Sequence, residues 1–229
     1  MEFPEDFNQL ELLDTHGQQI PRGTSSLWTG SDEEEEEEED EEEGGERPEE
    51  WYLQKESSLQ DQPQELLLWA AENNRVSTVK SLLATDATLV SCSDEDGYTP
   101  LHRAAYGGHV DVASALLHAG SRVNARTADG WSPLHSACRW SRVSMASLLL
   151  RHGAQLNAQT NGGLTPLHLA ASNPDSAHTL ELLLSQRHLN ASLCSSSAET
   201  AGQVAQRSGP HHYLFEMVEE CVSVTPSQT

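Results

Sequence analysis

The phrase Thr99-Pro100-Leu101-His102 returns as Ser132-Pro133-Leu134-His135 and again as Thr165-Pro166-Leu167-His168, at intervals of 33 residues. A hydroxyl residue followed by proline is typical of a helix start. The hydroxyl caps a free backbone N–H, and proline has no N–H to leave unpaired at the first helical position. A helical unit of this size cannot bury its apolar face alone, so the repetition predicts units that stack on one another.

Other landmarks set the boundaries of the units. Asn124, Asn157 and Asn190 recur at the same interval, and Pro63 precedes an apolar run that suits a helix start. Around Pro174 the usual Gly-His pair is replaced, and we expect an insertion of one residue there with a compensating deletion after Leu184. The sequence therefore predicts a transition segment, four repeats, a C-terminal capping unit and a disordered tail, with bounds at 51–63, 64–97, 98–130, 131–163, 164–197, 198–220 and 221–229.

The T-P-L-H-x-A pattern at this period resembles the ankyrin repeat family, and the likeness extends from Gln64 to roughly Glu220. The resemblance implies an all-α ankyrin-repeat solenoid of helix-turn-helix units, whose exposed concave face binds other proteins. We expect Leu101, Leu134 and Leu167 to point into the stack. We expect His102, His135 and His168 to hydrogen-bond to the backbone in the turns between repeats.

The three repeated histidines have an alternative interpretation as a metal array or as catalytic bases. Stacked repeats would hold them in a row, one per unit, rather than bring them to one point. The chain also has no Gly-rich phosphate loop, no metal-ligand spacing and no C-x-x-C pair among its four cysteines. We therefore predict a protein without enzymatic activity, catalytic residues, metal or cofactor.

The charge of the chain is concentrated at its N-terminal end. Residues 1–50 carry 20 acidic and 2 basic residues, and positions 32–43 are twelve consecutive carboxylates within a chain of net charge −23. Such a segment lacks apolar groups to collapse around, so we predict disorder over 1–50. It would repel a phosphate backbone and attract basic proteins. We thus expect no direct nucleic-acid binding, and the absence of a long apolar run predicts no membrane association.

Partner contacts are expected on the finger turns and on the outer positions of the first helices. Exposed Trp, Tyr and Arg side chains dominate interface energies, and Trp131, Trp140 and Arg139 are the predicted centre of the site. The alternative, that Trp131 or Trp140 packs between repeats, stays open. The complete predicted set is Tyr98, Arg103, Tyr106, Arg126, Trp131, Arg139, Trp140 and Leu164.

The chain as a whole also resembles one branch of the family, over residues 7–13, 26–28, 66–72, 98–106, 129–137 and 212–216. This resemblance implies a nuclear protein with a positive effect on gene expression. No DNA-binding module and no basic import signal is recognisable, so such an effect would act indirectly through a bound protein. We expect a monomeric adaptor. The alternative is a cytosolic scaffold or chaperone-like protein whose acidic run shields a basic client.

Overall fold

The computed structural model of the protein describes residues 48–216 and divides the chain into two compact units, 1–61 and 62–229. The predicted acidic tail up to position 47 and the predicted disordered tail 221–229 lie outside the described residues. In the first unit, helix α1 spans Glu49–Ser58, within a segment for which the sequence predicts no helix. The first two residues of this helix fall within the range 1–50 that the sequence assigns to the disordered region. Glu49 and Glu50 lie in the first turn of α1, where the helix dipole favours carboxylates.

The second unit is a stack of helix pairs. Three of its first helices follow the hydroxyl-proline phrases, and the second helix of a pair follows after a short turn. We number them in chain order: α2 Pro63–Glu72, α3 Val76–Thr85, α4 Pro100–Gly107, α5 Val110–His118, α6 Pro133–Arg139, α7 Val143–Arg151, α8 Pro166–Ala171, α9 Ala177–Leu184 and α10 Ala201–Ser208, with 3₁₀ turns at Ala87–Ser91 and Pro210–His212. Residues 213–216 are helical at the end of the described part. The predicted all-α ankyrin-repeat stack is confirmed.

The turn inside each helix pair explains the irregular repeat. Asn74, Gly108 and Ser141 occupy equivalent positions there with φ of 57°, 78° and 52°. The next equivalent residue is Pro174, whose ring holds φ near −65° and forbids this conformation. The chain accommodates the proline with one added residue, because α9 begins 11 positions after the start of α8, whereas the corresponding interval is 10 in the two preceding repeats.

The core consists of leucines and small residues. Leu101, Leu134 and Leu167 are buried, as the repeated phrase predicts. First helices pack on neighbouring first helices and second helices on neighbouring second helices. The first helices can approach closely because four of them carry a buried pair of small residues, namely Ala70 with Ala71, Ala104 with Ala105, Ala137 with Cys138, and Ala170 with Ala171.

Between residues 48 and 216 the chain forms no strand, and its β-type pairing consists of one isolated bridge between Cys194 and Thr200. None of the helices described over this range has both the length and the apolar character needed to cross a bilayer.

Candidate protein-binding face

We call the hairpin-like turns at residues 94–98, 127–131, 160–164 and 195–199 the finger turns, and the row that they form the finger edge. Each closes through a backbone bond of the kind seen from Thr127 N–H to the Trp131 carbonyl, 3.0 Å. Successive turns are linked by backbone hydrogen bonds. The N–H groups of Ala128, Asn161 and Ser196 donate to the backbone carbonyls of Asp96, Asp129 and Gly162, at 2.8, 3.0 and 2.9 Å. The finger turns therefore form one continuous edge on which side chains of different repeats become neighbours.

Glycine is favoured in these turns for two reasons. Gly97, Gly130 and Gly163 have φ of 83°, 79° and 73°, a region that disfavours L side chains. A Cβ at Gly163 would also lie 2.8 Å from the backbone nitrogen of Ser196 in the next finger turn. The last finger turn has Ala198 at this position, with φ of 60°.

The three repeated histidines connect each repeat to the next. Nδ1 of His135 accepts from the backbone N–H of Ser132 at 3.1 Å, which leaves Nε2 to donate to the carbonyls of Ala158 and Leu164, both at 3.1 Å. His102 and His168 make the same pair of contacts, His102 donating to Trp131 and His168 to Glu199. Burial lowers the pKa of His102 and of His135 to about 4, and lowers that of His168 below its ordinary value. These imidazoles are thus neutral structural groups at physiological pH.

A charged cluster lies on the outward side of α4. Arg103 donates to Asp94 at 2.7 Å and to Glu72 at 3.5 Å, and its guanidinium carbon lies 5.5 Å from the centre of the Tyr98 ring. Burial raises the pKa of Glu72, and the charge of Arg103 partly offsets this effect. The pKa of Tyr98 is raised by burial and by the carboxylate of Asp129. Arg103 therefore neutralises neighbouring carboxylates of its own stack.

The aromatic residues of α4 and α6 form a pair across two repeats. The rings of Tyr106 and Trp140 meet edge to face, with centroids 5.0 Å apart and planes at 76°. The Arg139 guanidinium lies 5.9 Å from the Trp140 ring centre, and its Nη1 is 3.4 Å from the hydroxyl of Ser172 in the next repeat. Both rings are half-buried. Trp140 therefore packs against Tyr106 of the preceding repeat, and part of the Trp140 side chain is still exposed to solvent.

Trp131 lies on a finger turn, and Arg126 directly precedes that turn. Trp131 is half-buried; its backbone N–H donates to the Thr127 hydroxyl at 3.1 Å and its carbonyl accepts from His102. Arg126 is exposed, and its guanidinium donates to the Gln159 carbonyl directly before the following finger turn. The guanidinium of Arg126 is therefore engaged by its own chain.

The prediction that Leu164 is an exposed contact residue is wrong. Its side chain is only 3 % exposed, whereas Tyr98 and Trp131 at the equivalent positions remain half-exposed. Leucine is short enough to be covered completely between two repeats, and the larger rings are not. Its backbone carbonyl and N–H are both taken, by His135 and by the hydroxyl of Thr160. Leu164 is a core residue.

The arginines and the exposed carboxylates of this face differ in how they are bonded. The arginines at 103 and 126 are bonded within the stack, and Nε of Arg142 donates to the Tyr106 carbonyl at 3.1 Å. In contrast, the exposed carboxylates of Glu95, Asp96 and Asp129 have no hydrogen bond or ion pair to any residue within 48–216. In the sequence, Asp-Gly at 96–97 and at 129–130 indicates turns, and only the folded arrangement shows these carboxylates as neighbours along one edge.

The described residues hold no cluster of His, Cys, Asp or Glu that could bind a metal ion. Cys92 and Cys138 also lack the low pKa that makes a thiol a reactive nucleophile. Burial raises the pKa of Cys92 to about 11 and raises that of the fully buried Cys138 well above its ordinary range. Neither thiol is ionised at neutral pH, and a thiolate is the form that attacks.

Comparison with known proteins agrees with this architecture. Models of ankyrin repeats match residues 67–117 and 120–196. Ankyrin repeat domain-containing protein 49 of Bos taurus is 59 % identical over 99 % of this chain and 92 % of its own length, and the Homo sapiens protein of that name is 57 % identical over the same shares. The Drosophila melanogaster protein of that name is 51 % identical over 73 % of this chain and 78 % of its own length. The chain belongs to the ankyrin repeat family, whose repeats generally mediate protein–protein interactions.

Proposed function

We propose that this protein is a non-enzymatic adaptor that binds another protein with repeats 98–130 and 131–163. The observation that carries the proposal is the edge-to-face pair of Tyr106 and Trp140, which joins the first helices of two repeats. Half-exposed aromatic pairs of this kind bury a large area on a partner at a low cost in side-chain entropy. The small residues at the crossings of the first helices favour closer spacing on that side, so we place the concave face there.

The chemistry of the face favours a basic partner segment. Carboxylates at Glu95, Asp96 and Asp129 lie on the finger edge that also carries the rings of Tyr98 and Trp131. A lysine or arginine of the partner gains both from the carboxylates and from a ring face. Two of the three arginines that the sequence singles out, Arg103 and Arg126, act chiefly inside the stack, through Asp94, Glu72 and the Gln159 carbonyl. We therefore assign them to positioning the face rather than to partner recognition.

We further propose that the adaptor acts in the nucleus as an indirect positive regulator of transcription. The support is compositional: Phe3, Phe7 and Leu10 stand among carboxylates and precede a run of twelve acidic residues. Acidic segments with interleaved bulky hydrophobes are typical of activation regions. On this proposal the repeats select the bound protein and the acidic segment supplies the activating contact.

Affinity capture with matched variants tests the binding face. Tyr106→Ala with Trp140→Ala removes the aromatic pair, and Tyr213→Ala is the control because its ring is 46 % exposed elsewhere in the stack. We expect partners captured by the wild type and by the control to be lost from the double variant, and to be released by about 0.5 M salt. An unchanged set of partners, with helical circular dichroism intact, would contradict the proposal.

A tethered reporter tests the transcriptional role. The chain, fused to a heterologous DNA-binding domain, is expected to activate the reporter only while residues 1–47 and the aromatic pair are both present. Exclusive residence of the untagged protein in the cytoplasm would instead favour the alternative, a scaffold that shields a basic client.

A further inference from the structure

A second edge of the stack runs along the loops that follow the second helices. We call the residues 118–125, 151–158 and 185–191 the loop edge. Asn124 bridges the first two loops, donating to the Gly153 carbonyl at 3.1 Å and accepting from Gln155 N–H at 2.8 Å. Asn157 bridges the next two in the same way, with His188 and Asn190 at 2.8 and 2.9 Å. Four hydrogen bonds thus hold the three loops side by side.

The loop edge is basic throughout. Each loop contributes one exposed arginine, Arg122, Arg151 or Arg187, and none of the three makes a hydrogen bond or ion pair to any residue over 48–216. Each loop also contributes an exposed histidine, and the rings of His118 and His152 lie 6.3 Å apart. The three loops contain no Asp or Glu. This edge therefore differs from the finger turns, whose exposed side chains include the carboxylates of Glu95, Asp96 and Asp129.

The helix dipole explains the position of only one of these three arginines. Arg151 lies in the last turn of α7, where the helix dipole favours a cation. Arg122 and Arg187 lie beyond the ends of α5 and α9, which close at His118 and Leu184. Their guanidinium groups remain available to an external anion.

An open cavity of about 620 Å³ lies between the last two loops, and Arg187 is one of the residues that line it. Its apolar wall comes from Leu150, Ala154 and Leu156, and its other wall from Gln186, Arg187 and His188. The gap has a cause in the sequence. Buried Leu149 precedes Asn157 by eight residues, but buried Leu183 precedes Asn190 by seven, so the last loop is one residue shorter.

We propose that the loop edge is a docking site for an acidic protein segment, with carboxylates on Arg122, Arg151 and Arg187 and an apolar side chain in the cavity. Charge complementarity selects an anionic occupant, and the leucine-lined cavity favours a peptide over a phosphate backbone, which carries no apolar side chain. The site is separate from the finger edge and does not depend on it. It gives the adaptor two faces of opposite charge preference.

Fluorescence anisotropy on the full chain tests the site. The probe is a labelled peptide of glutamates and aspartates around a central pair of leucines. The triple variant Arg122→Gln, Arg151→Gln, Arg187→Gln is expected to bind it about tenfold more weakly, because exposed ion pairs are individually modest but add up. Arg151→Gln alone is compared with Lys80→Gln, which removes one exposed charge from repeat 64–97; only the former is expected to weaken binding.

The cavity has its own measurement. A peptide with serines in place of the leucines is expected to bind the wild type severalfold more weakly. Ala154→Leu, which narrows the cavity without changing charge, should weaken binding of the leucine peptide and leave binding of the serine peptide unaffected.

Equal affinity of the triple variant and wild type for the leucine peptide would overturn the proposal. So would equal affinity of the two peptides, or tighter binding of a short RNA or DNA duplex that depends on the same arginines. The Tyr106→Ala, Trp140→Ala variant should bind the peptide normally, so failure here is distinguishable from failure of the proposed function.

Discussion

The Nε2 atom of His135 lies 3.1 Å from the carbonyl oxygen of Leu164, so a first helix of one repeat is tied to the finger turn of the next. The same imidazole accepts from the N-cap of its own helix. Both contacts require the neutral ring with its proton on Nε2. The imidazole of His135 thus stabilises both the start of its helix and the contact with the next repeat, and it does so in its neutral form.

Acid should weaken the stack through these histidines. The pKa of His135 is lowered to about 4 when folded, against about 6.5 unfolded, so its stabilising effect is complete above pH 6.5 and is lost as pH falls toward 4. We expect His102 and His135 each to cost about 2 kcal/mol of stability between pH 7.5 and pH 5. Urea unfolding across this range, followed by circular dichroism, measures the loss.

His135→Gln isolates this contribution. Gln203 occupies the equivalent position in the last unit, and its Oε1 accepts from Thr200 N–H at 2.8 Å without any titration near neutrality. The variant should show a flatter dependence of stability on pH than the wild type. His212→Gln, at an exposed ring, should retain the wild-type slope. Identical slopes for both variants would show that His135 does not carry the effect.

Leu164→Ala should act on stability and not specifically on partner binding. The side chain is 3 % exposed, and truncating a buried leucine removes its transfer free energy and leaves a cavity, a loss of about 2–5 kcal/mol. The midpoint of urea unfolding measures it. Leu53→Ala is the control, since that side chain is 51 % exposed and should change stability by less than about 0.5 kcal/mol. A stable Leu164→Ala protein would argue against a core role.

Ala198→Gly should stabilise the C-terminal unit. Ala198 holds a φ of 60°, a conformation that costs an L-residue about 1 kcal/mol, and the three equivalent residues are glycines. Part of the gain is offset because glycine has a more flexible unfolded state, so we expect a net gain of about 0.5 kcal/mol. Gly163→Ala is the reciprocal test and should be clearly destabilising, since its Cβ would meet the Ser196 backbone. Thermal unfolding compares the two, and a lower melting temperature for Ala198→Gly would refute the prediction.

Arg103→Gln should expose a conflict between Glu72 and Asp94. Burial already raises the pKa of Glu72, and loss of the guanidinium raises it further. A carboxyl with a raised folded pKa loses stability as pH rises through that value, so the variant should be weakened more at pH 7 than at pH 4. We expect a loss of about 1–3 kcal/mol at pH 7.

Glu72→Gln in the Arg103→Gln background provides the check. It removes the buried charge and should restore part of the stability at pH 7. Urea unfolding of the single and double variants at the two pH values measures both effects. Equal destabilisation at both values, or no recovery in the double variant, would contradict this account.

Local chemistry accounts for what could be foreseen. The hydroxyl-proline phrase predicts helices at Pro100, Pro133 and Pro166, and these helices begin there. Pro174 predicts an added residue because its φ is set by its own ring. Leu164 could not be placed in this way: it occupies the position of Tyr98 and Trp131, and its smaller size permits complete burial without requiring it. Whether it is covered depends on residues of the following repeat.

The linear chain thus dictates the period, the helix starts and the inward leucines, because capping, proline geometry and burial act over a few consecutive residues. Stacking alone decides which charges remain free. Arg126 reaches the Gln159 carbonyl and Arg103 reaches Glu72 across repeat boundaries, whereas Arg122, Arg151 and Arg187 have no hydrogen bond or ion pair within residues 48–216. Pairing between groups some thirty residues apart depends on the distance between folded units, which no local pattern encodes.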